Sequence, residues 1–294
     1  MIKYISLSRC YRFWRHDTVK MAIIMCCYNR KKLTERSVQQ LNKSVEKYPD
    51  IHCKIYVCDD GSTDGTCEML REEFNNVIYL KGSGRLYWCK SMHLAMKTAV
   101  QDMHDYYLMV NDDTDFKDNV IKIMMDSYQQ AKETCGIVGA MSFNKICTYG
   151  GRNIDNKLLL PNGKLQSCVL ANWNCFLISR EVVDRVGIID EKYQHAYGDF
   201  DYSHRMLKAG IPIYVATEYV GEAQRNSEEG TFQDYTLKRF QRLRLLLSPK
   251  GMPIYSYFRY HIRSSGVKGL PRYIYGYLSV VGYIILKKEF KKKD

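Results

Sequence analysis

Short apolar segments alternate with amphipathic ones along the first part of the chain. Four apolar segments are bounded by polar turn formers and predict buried strands, at residues 19–27, 51–58, 77–80 and 106–110. Three segments between them repeat apolar residues at helical spacing and predict helices, at residues 33–48, 63–74 and 88–104. Strands that alternate with helices favour a mostly parallel sheet with helices on both faces. We therefore predict an α/β fold that binds its ligand at the carboxyl ends of the strands.

The remaining part of the chain has a less regular pattern. Helices are predicted at residues 118–132, 180–186 and 199–209, and strands at residues 137–143, 158–160, 165–170 and 211–216. From Thr236 onward, apolar and basic residues alternate at helical spacing, and the last apolar run covers about 14 residues, which is too short to span a bilayer. The sequence thus predicts three parts: an N-terminal extension at 1–18, a domain at 19–235 and a helical C-terminal extension at 236–294.

The excess of positive charge lies at the C-terminal end of the chain. Residues 237–294 contain 14 Lys and Arg against 2 Asp and Glu, which accounts for the whole net charge of +12. A domain that reads nucleic acid carries its basic patch across the fold, so we expect no nucleic-acid partner. Basic residues next to apolar and tyrosine residues are typical of a segment that lies on a membrane. We therefore expect an anionic membrane surface to be a partner of the C-terminal extension.

The cysteines and the N-terminal segment indicate the cellular compartment. Several of the 11 cysteines lie inside apolar runs, where a free cysteine behaves as a small buried hydrophobe. Residues 1–20 contain Arg9, Arg12 and Arg15 and no continuous apolar stretch, unlike a secretory signal peptide. These features predict a protein of the reducing cytoplasm, peripheral to the inner face of the membrane. The sequence has no CxxC pair and no closely spaced histidines, which argues against a structural zinc site.

Two clusters of carboxylates follow predicted strands. Asp59 and Asp60 stand in "VCDDGSTDGT", and Asp112 and Asp113 stand in "VNDDTDF". Neighbouring carboxylates repel one another, so a cluster costs stability unless a cation or hydrogen-bond donors lie beside it. Each cluster by itself is also compatible with ordinary turn and helix-capping chemistry. Because two parallel strands would bring both clusters toward one crevice, we favour a site for a nucleotide and a divalent cation.

A third acidic segment, "AYGDFDYSHR", opens the predicted helix at residues 199–209. The helix dipole favours one carboxylate at this position without any further function. Asp199 and Asp201 together, followed by Arg205, favour a functional group of side chains in which the arginine contacts a phosphate. Trp173, in "ANWNCF", is either a sugar contact or a core residue.

Taken in order, four segments resemble the family 2 glycosyltransferases, which share the nucleotide-binding GT-A fold. They are "IIMCCYNR", "VCDDGSTDGT", "VNDDTDF" and "GDFDYSHR", and the resemblance covers residues 21–244. The segments "GRLYWCKSM" and "RNSEEGTF" further resemble the rhamnosyltransferase-like branch that builds surface polysaccharides. The resemblance implies a nucleotide-binding half at residues 19–115 and an acceptor-binding half at residues 116–235.

For the donor, the resemblance implies a nucleotide-diphospho-sugar that gives up a hexosyl or deoxyhexosyl group with inversion. It places Cys26, Tyr28 and Asn29 near the donor base. It also implies that Asp59 and Asp60 contact the base and the ribose.

For the chemistry, the resemblance implies a metal and a general base. Asp112 would contact the donor, and Asp113 would ligate Mn²⁺ or Mg²⁺, which neutralises the diphosphate leaving group. Arg205 is the expected phosphate contact. Asp199 would take the proton from the hydroxyl of a glycan or lipid-linked saccharide acceptor.

The sequence departs from the family pattern at three places. Gly198 replaces the Glu of the usual Glu-Asp pair, which keeps Asp201 open as an alternative base. Asn111 replaces the first Asp of the DxD-type motif, and "YVGEAQRNS" lacks the His that often follows the last core strand. We therefore expect weak or transient metal binding.

Two other functions remain as alternatives. A nucleotidyltransferase of similar fold would carry a glycine-rich loop after the first strand, and "CCYNRKKLT" contains no glycine. A dinucleotide oxidoreductase is disfavoured because "GSGRL" does not open the first helix. A non-catalytic membrane-binding protein with a degenerate transferase fold would not need Asp113, so Asp113→Ala distinguishes it from a transferase.

Overall fold

The computed structural model describes residues 18–286 of the 294-residue chain. Nearly all of the predicted N-terminal extension and the basic end from Lys287 onward lie outside the described residues. The described part consists of one large sheet with helices on both faces, followed by three further helices.

The first part of the chain forms the alternating strands and helices that its pattern predicts. The four strands are confirmed as β1 (Val19–Cys27), β2 (Ile51–Asp59), β3 (Val77–Lys81) and β4 (Tyr106–Val110). The three helices are confirmed as α1 (Lys31–Glu46), α2 (Thr66–Glu72) and α3 (Tyr87–Gln101). Helix α2 begins later than predicted because Gly65 before it has a left-handed backbone, with φ of 83°.

The second part contains shorter elements. They are β5 (Asp115–Phe116), α4 (Val120–Ala131), β6 (Gly136–Phe143), β7 (Ile146–Tyr149), β8 (Gly151–Arg152), β9 (Gln166–Cys168), β10 (Leu170–Ala171), β11 (Cys175–Ser179), α5 (Arg180–Val186), α6 (Gly198–Lys208) and β12 (Ile213–Glu222). The predicted strand at 158–160 is wrong, since Leu158 forms only a bridge to Arg152. The predicted strand at 165–170 divides into β9 and β10, and the one at 211–216 continues to Glu222 through an irregularity after Val215.

The sheet is mostly parallel, as predicted, with the strand order β3-β2-β1-β4-β11-β6-β12-β5. Strands β1 to β4 are parallel to one another, and β6 is parallel to β12. Strand β11 lies antiparallel between β4 and β6. The sequence pattern missed β11 because it is apolar on both faces and α5 begins at the next residue, without a turn former between them.

The core forms two layers, one on each face of the sheet. Alternate residues of β1 point to opposite faces, so Met21 and Ile23 separate from Ala22 and Ile24 although all are buried. The first layer packs against α1 and α4, and the second against α3 and α6. Burial on both faces explains why the predicted strands are continuous apolar runs.

The C-terminal extension is helical, as predicted, and consists of α7 (Arg239–Leu246), α8 (Ile254–Ser265) and α9 (Gly269–Ile285). Helix α8 packs against the domain through ion pairs and rings. Arg259 and Arg263 both donate to Oδ2 of Asp190 at 2.5 Å. The ring of Tyr260 stacks on that of Tyr197, with 5.3 Å between centroids. The extension is therefore anchored to the segment that leads into α6.

Asp190→Asn should lower the free energy of unfolding by about 2 kcal/mol, because it removes the mostly buried negative charge that Arg259 and Arg263 share. Chemical denaturation measures this change. The control is Asp126→Asn, which removes the exposed pair with Lys122 and should change stability little. Equal stability of the two variants would contradict the anchoring role of Asp190.

Candidate active site

The turns after β1 and β2 are joined by hydrogen bonds. Asn29 has a left-handed backbone, with φ of 49°, which asparagine adopts more readily than most residues. Its N–H donates to Oγ of Ser62 at 2.8 Å, and its Oδ1 accepts from the N–H of Thr63 at 2.8 Å. Tyr28, next to it, is 53% exposed. An accessible aromatic ring thus lies on a fixed turn at the carboxyl end of β1.

Asp59 and Cys26 lie at the ends of the neighbouring strands β2 and β1. Asp59 is 1% exposed and accepts from the N–H of Ser62 at 2.8 Å and from Oη of Tyr79 at 3.3 Å. Burial raises the pKa of the Cys26 thiol well above its ordinary value, so the thiol is neutral. The structure therefore brings together Cys26, Asn29 and Asp59, which the sequence assigned to the donor base and ribose.

Asp60 organises the loop before α3. Its Oδ1 accepts from the N–H groups of Gly84 and Leu86 at 2.9 and 3.1 Å, and its Oδ2 accepts from that of Tyr87 at 2.8 Å. A Cβ at Gly82 would lie 2.7 Å from Cα of Asp60. The loop can therefore pass this close to the backbone of Asp60 only because residue 82 is glycine. Both carboxyl oxygens are thus engaged by backbone, and we infer that Asp60 acts on a ligand through this loop.

Arg30 lies on the carboxylates of Asp112 and Asp113. Its Nη1 donates to Oδ1 of Asp112 at 3.1 Å and to Oδ2 of Asp113 at 2.8 Å. Oγ1 of Thr34 is 3.4 Å from the other oxygen of Asp112. Burial, together with the charge of Asp113, raises the pKa of Asp112 to about 7 in spite of Arg30. This carboxyl pair is therefore short of positive charge.

Asp112 and Asp113 fit a divalent cation. One positive nitrogen contacts both carboxylates, so one cation can serve both of them. Asn111 is not free to join, since its Oδ1 accepts from Nε1 of Trp88 at 2.9 Å. Within residues 18–286, no group of three or more His, Cys, Asp or Glu side chains could hold a metal by itself. A divalent ion at this pair would therefore need more oxygen ligands, which nucleotide phosphates can supply.

Asp199 lies at the start of α6 and is partly buried. Its Oδ1 accepts from the N–H of Phe200 at 2.9 Å, and the Asn172 side chain and the N–H of Trp173 also donate to the carboxyl group. Burial nevertheless raises the pKa of Asp199 to about 6. The group is therefore ionised at neutral pH and accepts a proton more readily than a surface aspartate.

The packing around Gly198 explains why this chain has glycine where the family usually has glutamate. A Cβ at this position would lie 2.6 Å from Sγ of Cys89 and 2.9 Å from Cδ1 of Ile189. The start of α6 thus lies so close to α3 that a glutamate at position 198 would require both neighbours to move.

Asp201, the alternative base, is engaged on all sides. It is 2% exposed, and its Oδ1 accepts from Oη of Tyr193 at 3.1 Å and contacts Nε of Arg263 at 3.0 Å. Its Oδ2 accepts from Nε of Arg205 at 3.1 Å. Both oxygens of Asp201 are thus occupied by protein donors, which favours Asp199 as the base.

The expected contact between Arg205 and a phosphate is not available in this structure. Besides its bond to Asp201, Arg205 donates from Nη1 to the carbonyl of Val186 at 2.8 Å and from Nη2 to that of Ile188 at 2.9 Å. Its guanidinium also lies over the ring of Tyr202, 4.7 Å from the centroid. Arg205 therefore ties α6 to the end of α5, because backbone carbonyls accept from the same donors as a phosphate would.

Two tryptophans connect the Asn111 turn with the start of α6. Nε1 of Trp88 donates to Asn111, and the Trp88 ring lies edge-on to that of Trp173, with 6.0 Å between centroids. The N–H of Trp173 donates to Asp199. Since Trp173 is 1% exposed, it is a core residue, which was one of the two alternatives. Asn111, directly before the carboxyl pair, is thus linked to Asp199 through the two packed rings and the backbone N–H of Trp173.

The comparison with known families agrees with this geometry. Residues 22–187, more than half of the chain, match the sequence model of glycosyl transferase family 2. The protein belongs to glycosyl transferase family 2. The matched part includes Asp59, Asp60, Asp112 and Asp113 and ends before Asp199.

A relative of this chain is the succinoglycan biosynthesis protein ExoA of Rhizobium meliloti (strain 1021). The two chains are 24% identical over 211 residues, which cover 66% of this chain and 59% of the relative. The chain therefore spans less than two thirds of the length of that relative.

Solved structures confirm that this family member has the GT-A fold. The mannosyltransferase PcManGT from Pyrobaculum calidifontis, in complex with GDP-Man and Mn²⁺, superposes with a TM-score of 0.57 at 12% identity, over 93% of this chain and 74% of that chain. S. aureus TarS 1-349 in complex with UDP gives a TM-score of 0.53 at 15% identity, over 92% and 81%. At these identities the likeness concerns the fold alone.

Two arginines near the carboxylates were not singled out in the sequence. Burial, and then the charge of Arg225, lower the pKa of Arg152, which Asp199 partly offsets. Tyr149 is an electrostatic neighbour of both Arg225 and Asp113, and its Oη accepts from the N–H of Asn226. Arg152 and Arg225 thus add positive charge to this side of the site. The available signal was the basic residue in "EAQRNS", directly after the last strand.

Gly198→Ala should lower the free energy of unfolding by about 1–3 kcal/mol, because the added methyl group overlaps Cys89 and Ile189. Thermal and chemical denaturation measure the loss. Gly282→Ala is the control, since nothing lies within 4 Å of that position in α9. Adding Cys89→Ala to Gly198→Ala should recover part of the loss. If Gly198→Ala is as stable as the control, the close approach of α3 and α6 is wrong.

Proposed function

We propose that this family 2 glycosyltransferase transfers a sugar from a nucleotide-diphospho-sugar to an acceptor hydroxyl, with inversion at the anomeric carbon. The observation that carries the proposal is the state and position of Asp199. Its pKa is raised to about 6, and the two tryptophans connect it to Asn111, the residue directly before the Asp112–Asp113 pair. A base and a cation site joined in this way are what sugar transfer from a diphosphate requires.

Asp199 acts as the general base. It accepts the proton of the acceptor hydroxyl as that oxygen forms a bond to the anomeric carbon. The bond from this carbon to the diphosphate breaks on the opposite face, and its electron pair leaves with the diphosphate. Asp201 does not share this role, because its oxygens stay with Arg205, Arg263 and Tyr193.

The donor lies at the carboxyl ends of β1, β2 and β4. Cys26, Tyr28, Asn29 and Asp59 surround the base and ribose, while Asp60 holds the loop before α3. When bound at Asp112 and Asp113, a divalent cation neutralises charge on the leaving diphosphate. The complex of PcManGT with GDP-Man and Mn²⁺ and that of TarS with UDP, on the same fold, support this arrangement.

The acceptor belongs to surface polysaccharide assembly, in which the growing saccharide is carried on a lipid. The relationship to a succinoglycan biosynthesis protein supports this class of product. The resemblance of "GRLYWCKSM" and "RNSEEGTF" to the rhamnosyltransferase-like branch favours a deoxyhexose donor.

A lipid-linked acceptor requires the enzyme to reach a membrane, and α9 supplies the surface. No helix within the described part of the chain is long and apolar enough to cross a bilayer. Instead, α9 and the turn before it expose apolar residues at helical spacing, 38–81% accessible: Val267, Leu270, Ile274, Tyr275 and Leu278. Such a stripe beside basic residues suits an interfacial position on the anionic inner face of the membrane.

Asp199→Asn should lower kcat by about 10²–10⁴, because the amide cannot accept the hydroxyl proton. A thermal-shift screen of nucleotide sugars with and without Mn²⁺ identifies the donor, and release of its nucleotide measures turnover. In the unchanged enzyme, with Mn²⁺ and donor at saturating concentration so that Asp112 keeps its charge, the rate should fall as the pH drops through about 6, where Asp199 becomes protonated. Three electrostatic neighbours of Asp199 do not titrate near pH 6: Cys89, Tyr260 and Arg152. Burial raises the pKa of Cys89 and of Tyr260 far above 6, and Arg152 stays positively charged.

The amide variant should keep its thermal stabilisation by the donor nucleotide, and Asp155→Asn, at an exposed position, should retain full activity. Retained turnover in Asp199→Asn would remove the base from this proposal, whatever the donor is.

Replacing Ile274 and Leu278 by Asp should reduce binding to anionic vesicles about tenfold or more, since it places charge in the apolar stripe. Co-sedimentation with phosphatidylglycerol vesicles measures binding. The control replaces Ile146 and Ile154, exposed on another surface, by Asp. Point changes are preferable to truncation, because α8 is anchored to the domain. Equal binding of both double variants would contradict docking through α9.

A further inference from the structure

Arg30 occupies the position between the two carboxylates that a metal ion would take. A single atom, Nη1, is 3.1 Å from Asp112 and 2.8 Å from Asp113. A guanidinium nitrogen and a divalent cation cannot lie between the same oxygens together. A metal ion that binds this pair must therefore displace Arg30 and break two charge-assisted hydrogen bonds.

The backbone that carries Arg30 is fixed, while its side chain is free to leave. Arg30 directly precedes α1 and follows Asn29, whose bonds to Ser62 and Thr63 hold the turn. The Arg30 side chain is 43% exposed, whereas that of Asp112 is 7% exposed. Displacement thus requires a rotation of an accessible side chain and no movement of the carboxylates.

The charged form of the two carboxylates needs a positive partner. Asp112 is buried next to Asp113, and two such charges repel one another unless a cation lies beside them. Arg30 already supplies one positive charge. The binding free energy of a free metal ion is therefore reduced by the interaction with Arg30 that the ion has to break. A metal ion that arrives with a diphosphate gains more, because the released guanidinium can pair with a phosphate oxygen.

We propose that Arg30 is a built-in counter-ion that closes the Asp112–Asp113 pair to free divalent cations and yields it to a cation that arrives with a diphosphate. Metal and diphosphate binding are then coupled, each raising the affinity for the other. This inference rests on the proposed function, since it takes the same carboxyl pair as the metal site.

The test is a Mn²⁺ titration of the full chain without nucleotide, in which electron paramagnetic resonance measures free Mn²⁺. Arg30→Gln should bind Mn²⁺ about tenfold more tightly than the unchanged protein, because the competing charge is gone. Arg36→Gln is the matched control: Arg36, in α1, is also 43% exposed and contacts Asp115 at 2.9 Å. Its Mn²⁺ affinity should not change.

Arg30→Lys retains the positive charge and should return the Mn²⁺ affinity to within a few-fold of the unchanged protein. Equal or weaker Mn²⁺ binding by Arg30→Gln, in a variant whose thermal unfolding remains cooperative, would overturn the counter-ion role. Tighter binding in Arg30→Lys as well would also overturn it.

Asp113→Asn in the Arg30→Gln background tests whether the additional Mn²⁺ binds at the carboxyl pair. Loss of the gained Mn²⁺ affinity locates the ion at the carboxyl pair and supports the inference. Tight binding that survives Asp113→Asn means that the ion lies elsewhere and overturns it. The role of Asp199 is tested separately by turnover, so failure of the counter-ion does not imply failure of the transferase.

Discussion

Carboxylates gathered at the ends of β2 and β4 must each find hydrogen-bond donors or positive charge, and most of the site follows from this requirement. Asp59 and Asp60 meet it with backbone N–H groups, which also fix the loops around them. Asp112 and Asp113 meet it with one arginine side chain. Backbone donors stay in place when a ligand binds, whereas a side chain can be exchanged for a metal ion. The same edge of the sheet therefore contains a rigid part and an exchangeable part.

The second side of the site depends on how α6 is held. Asp199 and Asp201 are two residues apart on one helix, yet their surroundings differ. Arg205 and Arg263 contact the oxygens of Asp201, while Asp199 has neutral donors and a raised pKa. Arg263 belongs to α8, so the C-terminal helices help to determine which carboxylate is free. An extension that could have been only a membrane anchor is thus also part of the support of the site.

Much of the fold followed from residue patterns, and the exceptions have physical causes. Strands of the first part are apolar on both faces and separated by helices, so their limits are clear in the sequence. Strand β11 is equally apolar but runs directly into α5, which removed the signal for its end. The acidic segments were also visible, because paired carboxylates after a strand are unusual. The neighbours of those carboxylates were not, since Arg30 reaches Asp112 across 82 residues of sequence.

The sequence by itself determined the family, the mostly parallel sheet, the acidic segments and the basic, amphipathic end, because each depends on residues that are close along the chain. Only the tertiary structure decided how those residues are used. It buried Trp173, turned Arg205 toward carbonyl groups, placed Arg30 on the carboxyl pair and raised the pKa of Asp199. These outcomes depend on which donor from a distant part of the chain lies next to each side chain in the fold, and on how far that side chain is buried. Residue spacing along the chain encodes neither.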